Sequence, residues 1–123
     1  MKKTKNEENI ALLEETLGIC ENALRTFRAT RKGWTLLREY LVEGNQNVPQ
    51  FVVDSANEMN DYQKSVFVQH VDAQLMSVWQ TIFQLGAEVR WLKVTLIKAE
   101  NEKLGKESAR RAKRLKGWYS RFV

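Results

Sequence analysis

The chain is expected to be all-α, and three observations carry that expectation. Apolar residues recur at alternating spacings of three and four over two long stretches, 7–43 and 55–104. One Pro and six Gly in 123 residues are too few turn residues for a sheet protein. The one dense cluster of turn chemistry, 44–54, falls between the two periodic stretches, where a helical hairpin would close. The expected architecture is a long antiparallel, coiled-coil-like hairpin followed by a short basic C-terminal helix at 105–123. All of it is taken as a single helical domain, 1–123.

In the first helix, Ile10, Leu13, Leu17, Cys20, Leu24 and Phe27 form the seam that packs on other helices. The same frame continues through Arg31 to Trp34, Arg38 and Leu41, so the seam weakens after Phe27. Gly33 costs a helix about 1 kcal/mol relative to Ala, which predicts a kink or a break there. Gly44 suits the position just past a helix C-terminus. In the connector, Gly44, Asn45, Asn47 and Pro49 supply turn chemistry, and Phe51, Val52 and Val53 tuck it onto the bundle. Ser55 with Glu58 is a capping-box pattern and predicts the start of the second long helix. Pro49 is an alternative start, and so is Asp61, which would leave a short separate helix before it.

The strongest pattern in the chain is the seam Val68, Val71, Leu75, Val78, Ile82, Leu85, Val89, Leu92, Leu96 and Ala99, in which every position is apolar. A continuous helix over 55–104 would be ~75 Å long, so it must bend or dimerise. The seam stops at Ala99. A shifted stripe follows at Leu104, Ala112, Leu115, Tyr119 and Phe122, which predicts a break at Gly105 and a separate last helix.

Charge orients these helices. The first helix begins acidic and ends basic, and the long helix runs from Asp54, Glu58, Asp61 and Asp72 to Arg90, Lys93, Lys98 and Lys103. Laid antiparallel, opposite charges meet at both ends, which selects the hairpin more than it stabilises it. Between Asp72 and Glu88 there is no charge at all. Such a segment needs neighbours on more than one side. Leu75, Met76, Val78, Trp79, Ile82, Phe83 and Leu85 are therefore the expected interface, with a homodimer and its four-helix core as the expected assembly.

Catalysis finds little footing. His70 is the only histidine, and no paired carboxylates, phosphate loop or CxxC pattern is present. Cys20 lies alone on an apolar seam, so no internal disulfide and no cysteine metal cluster can form. No enzyme, metal or cofactor is expected. The most apolar stretch, 78–97, contains Glu88, Arg90 and Lys93 and is a poor membrane span. No apolar leader follows the basic N-terminus, and a reducing cytoplasmic setting is the expectation.

The net charge of +5 is local. Six cations and no acid lie in 109–123, so residues 1–108 sum to −1. A local cationic patch points to a polyanionic partner. Arg110, Arg111, Lys113, Arg114, Lys116 and Arg121 can release counterions from phosphates, and Trp118 and Tyr119 can stack on bases. Arg25, Arg28, Arg31 and Lys32 form a second basic patch, which also suits the dipole of a helix C-terminus. The leading expectation is a nucleic-acid-binding accessory protein, DNA or RNA, without sequence specificity. A protein-interaction module using the uncharged 73–87 face is the alternative, and a helical bundle acting on a membrane surface is the third. In size and style the chain is similar to small helical phage and viral accessory factors.

Overall fold

The computed structural model describes residues 4–44 and 46–122. Four α-helices follow one another: α1 (Lys5–Glu43), α2 (Gln50–Asn57), α3 (Asp61–Asn101) and α4 (Lys106–Tyr119), with a 3-10 turn at Ser120–Phe122. The long helices α1 and α3 pack antiparallel. Among the described residues, no helix is long and apolar enough to cross a membrane.

Thr4 starts α1. The Glu7 N–H donates to its Oγ1 at 3.1 Å, satisfying one of the free donors of the first turn. Glu7 and Glu8 place negative charge at the positive end of the dipole. The helix stops at Gly44, whose φ of +74° is open to glycine at little cost. Its N–H closes the last turn on the Tyr40 carbonyl at 3.1 Å. The break expected at Gly33 is absent, because α1 runs through it. Packing beyond Gly33 outweighs its propensity cost: the Trp34 ring meets His70 edge-on at 6.0 Å, and Arg38 pairs with Asp72.

The long helix does not start at Ser55. Ser55 lies inside α2, which begins after Pro49, and α3 begins at Asp61. The reason is a better cap. Gln63 N–H donates to Asn60 Oδ1 at 2.8 Å, and Asn60 N–H donates to Gln63 Oε1 at 2.9 Å. That reciprocal box satisfies two donors at once and fixes the start of α3. Asn45, a turn residue of the expected connector, lies outside the described residues.

The chain forms two compact units. The first joins the residues up to Thr26 with those from Ile82 onward, and the second is Phe27–Thr81. In the first unit, α4 adds a third helix to the hairpin. Leu13, Cys20, Ala23, Leu85, Leu92 and Ala112 are fully shielded there. The buried positions of α1 are 9, 13, 16, 20, 23 and 24, and Ile10, Leu17 and Phe27 of the expected seam are only half-buried. Leu13, Cys20 and Leu24 belong to both frames. The buried arc is turned because two helices cover it, and this brings Asn9 and Thr16 inside. Thr16 Oγ1 is satisfied by the Leu12 carbonyl at 2.6 Å.

At the end of α3 an amide clamp joins it to α1. Asn6 Nδ2 donates to the Ala99 carbonyl at 3.0 Å, and Asn6 Oδ1 accepts from the Leu104 N–H at 3.4 Å. Ala99 is among the last carbonyls of α3, which have no partner within the helix. The break at Gly105 is present, with Gly105 in extended backbone just before α4. In the second unit the expected charge matching does appear, as the Arg38–Asp72 pair between α1 and α3.

Candidate nucleic-acid interface

α4 has two sides. Ala112 and Tyr119 are buried, and Leu115 is half-buried between them. The spacing of 112, 115 and 119 sets one apolar stripe against the first unit. Ala112 carries so little side chain that the helix can approach closely. Glu107 in the first turn and Lys116 in the last both complement the dipole. Lys106, Arg110, Lys113, Arg114 and Trp118 face solvent, as does Arg121 in the turn beyond.

The cations predicted as one group have different roles. The Arg111 guanidinium donates to Glu88 Oε2 at 2.7 Å and lies 4.1 Å from the centre of the Trp91 ring. Glu88 is mostly shielded, so this charge-assisted bond fastens α4 to α3. Lys116 Nζ donates to Glu15 Oε2 of α1 at 3.0 Å, a partly exposed pair that orients α4 more than it stabilises it. Arg110 reaches Glu107 one turn earlier at 3.4 Å, an exposed pair of little energetic weight. Arg111 holds the helix in place and Lys116 orients it, while Lys113, Arg114 and Arg121 are presented outward.

The aromatic pair divides in the same way. Trp118 is 59% exposed, and the Arg121 guanidinium lies 5.0 Å from its ring centre. Tyr119 points inward, its ring 6.3 Å from Phe122. Its phenol is raised above the usual tyrosine value by burial, then by the neighbouring Cys20 and Glu88. A ring in that position has no face to offer a base, so stacking falls to Trp118. Cys20 is fully shielded, and burial, with Glu88 adding to it, pushes its thiol up to about 11. At neutral pH it is an inert packing group.

Beside α4 runs a groove of about 650 Å³. Gln84 and Glu88 of α3 form one wall, and Arg114, Trp118 and Arg121 form the other. The sequence does not single out Gln84 and Glu88 as wall residues. The available signal is that Glu88 is the first charge after a long uncharged stretch and has Trp91 three residues on.

The second basic patch is spread over both units. Arg25 is exposed in the first, and Arg28, Arg31 and Lys32 are exposed in the second. The latter three line a shallow depression of about 370 Å³ on α1 with Thr35, Leu36 and Glu39. The predicted interface residues of α3 also separate. In the second unit, Val78 is buried, Leu75 half-buried, and Met76 and Trp79 are exposed. In the first, Leu85 is buried, Ile82 half-buried, and Phe83 is exposed.

Among the described residues, no three of His, Cys, Asp and Glu converge to hold a metal ion. Fold and surface together define an all-α helical protein with a cationic helix held on one of its units. Comparison with protein-family models, with curated proteins and with solved structures finds no match.

Proposed function

We propose that the chain is a non-enzymatic accessory protein that binds nucleic acid through α4, gripping phosphates without reading base sequence. The observation that carries this reading is the groove in which Arg114 and Arg121 flank an exposed Trp118. Planar guanidinium groups suit phosphate, and an indole face suits any base, at about 1–3 kcal/mol per stacked base. The fastening of α4 by Arg111 supports it further, because a held helix loses less freedom on binding. In this reading a second copy pairs along the exposed Met76, Trp79 and Phe83 of α3 and doubles the cationic helices on one strand. The buried free thiol of Cys20 fits a reducing, cytoplasmic setting.

One observation favours a second reading, a module that binds a protein through its uncharged 73–87 face: Met76 is 65% and Phe83 66% exposed. The membrane reading has the least support. The apolar side of α4 is already used in the first unit, so lying on lipid requires α4 to detach.

Fluorescence anisotropy of labelled single-stranded and duplex oligonucleotides tests the proposal. Three phosphate contacts predict a loss of about 40-fold in affinity between about 50 and 200 mM salt. Arg114→Ala with Arg121→Ala should remove most binding to both probes, and Trp118→Ala should weaken the single strand selectively. These residues are exposed, so the fold should survive. Absence of binding at low salt would sink the proposal and turn attention to the 73–87 face.

A further inference from the structure

The second unit carries a surface of opposite chemistry to α4. Residues 40–63 contain four acids (Glu43, Asp54, Glu58 and Asp61) and no Lys or Arg, with Lys64 the next residue along α3. Within and just beyond this stretch, large apolar side chains stand in water: Phe51 is 71%, Tyr62 78% and Val66 47% exposed. Two adjoining depressions lie beside them and share Met59 and Phe67. One is a cavity of about 240 Å³ bounded also by Leu37, Leu41, Val52 and Ala56. It is smaller than the roughly 300–1,000 Å³ of small-molecule sites, and it suits an inserted side chain. The other is an open groove of about 550 Å³ along Tyr62, Gln63, Val66 and His70. Those residues follow one face of α3 for about 12 Å, two turns of a helix lying alongside.

Asp54 is bound within α2, where Gln50 Nε2 donates to its Oδ1 at 3.0 Å, but two of the other acids sit where their helices do not favour them. Glu43 closes α1, whose last turn has no basic residue, and Glu58 sits at the end of α2. Negative charge at a helix C-terminus opposes the dipole. Asp61, in the first turn of α3, is favoured by its helix dipole.

We infer that this surface docks a basic amphipathic helix of a partner protein. One apolar side chain enters the cavity, others lie along the groove, and Lys and Arg meet the acidic rim. The chain's own α4 is basic and amphipathic, but its apolar residues Ala112 and Tyr119 are buried in the first unit and do not supply the occupant. The inference is independent of nucleic-acid binding by α4.

The probe is a fluorescein-labelled Leu/Lys amphipathic helix of about five turns, with its Leu/Glu counterpart as control, titrated with the full chain. The Leu/Lys peptide should bind about tenfold or more tighter than the Leu/Glu peptide. Amide shifts on binding should concentrate in 50–70. Tyr62→Ala with Val66→Ala should weaken binding about tenfold while circular dichroism is unchanged. Asp54→Asn with Glu58→Gln should narrow the gap between the two peptides. Equal binding of both peptides, or shifts confined to 76–83, would overturn the inference. So would sedimentation showing that the Tyr62/Val66 variant dissociates a dimer while the Leu/Lys peptide fails to bind, since the occupant would then be a second copy.

Discussion

The two units use the same pair of long helices and differ in what covers them. Among the described residues, ten apolar side chains are buried in the first unit and three in the second. The first is covered by α4, 14 residues long and fastened by Arg111; the second is covered by α2, of 8 residues. Two antiparallel helices shield one stripe each, and a third helix turns those stripes into a core. Where the third helix is short, Phe67, Met59 and Leu37 are left around a cavity. Local stability should follow this division, and surfaces that meet partners tend to come from the less stable part of a fold.

The sharpest way to break the comparison is to cut into each unit. Leu92 has no exposed surface in the first unit, so Leu92→Ala should cost about 3–4 kcal/mol in urea denaturation. Met76 in the second unit is of similar size but 65% exposed, and Met76→Ala should stay within about 0.5 kcal/mol. Equal losses would mean that Met76 is shielded in solution, as a paired α3 face requires, and would revive the question of the dimer.

The two groups with raised values, Cys20 and Tyr119, both lie in the first unit. Burial and then neighbouring negative charge disfavour their ionised forms. For a group whose folded value is raised, stability is fully present below the unfolded value. It is lost as pH climbs toward the folded one. The melting temperature should therefore hold up to pH about 9 and fall toward pH about 11, the window of the Cys20 thiol. Cys20→Ala should flatten part of that fall, leaving the share due to Tyr119. A wild-type melting temperature independent of pH across this window would remove the buried thiol from the account.

The seam of α3 was legible because burial repeats with the helical period: all ten of its residues are buried or half-buried. The break at Gly105 and the stop at Gly44 were legible from backbone chemistry. What escaped the sequence depends on which of several local signals wins. The sequence offered both Ser55 and Asp61 as starts of the long helix; the Ser55–Glu58 and Asn60–Gln63 caps lie five residues apart, and only the second closes reciprocally, so α3 starts at Asp61. The turned arc of α1 escaped because it depends on where α4 lies, and a wheel projection of one helix contains no such information. The cationic residues of the candidate interface were legible as a group. Their division into Arg111 and Lys116, which pair with α3 and α1, and Arg114 and Arg121, which face outward, rests on Glu88 and Glu15, far away in sequence.

The smallest expected effect probes Gly33, through which α1 runs without a break. A Cβ there meets nothing within 4 Å, and the same holds at Gly18 in the first unit. Neither glycine has a positive φ, so alanine fits the existing helix at both. Gly33→Ala and Gly18→Ala should each add about 0.5–1 kcal/mol in urea denaturation. Hydrogen exchange separates the two sites. If the second unit opens on its own, Gly33→Ala should slow exchange of the amides around it by roughly three- to fivefold, while Gly18→Ala leaves those amides unchanged. If both variants slow them equally, the two units open together, and the difference in buried apolar side chains does not translate into a difference in local stability. Destabilisation by Gly33→Ala alone would mean that α1 must yield at that position, as the sequence pattern had suggested.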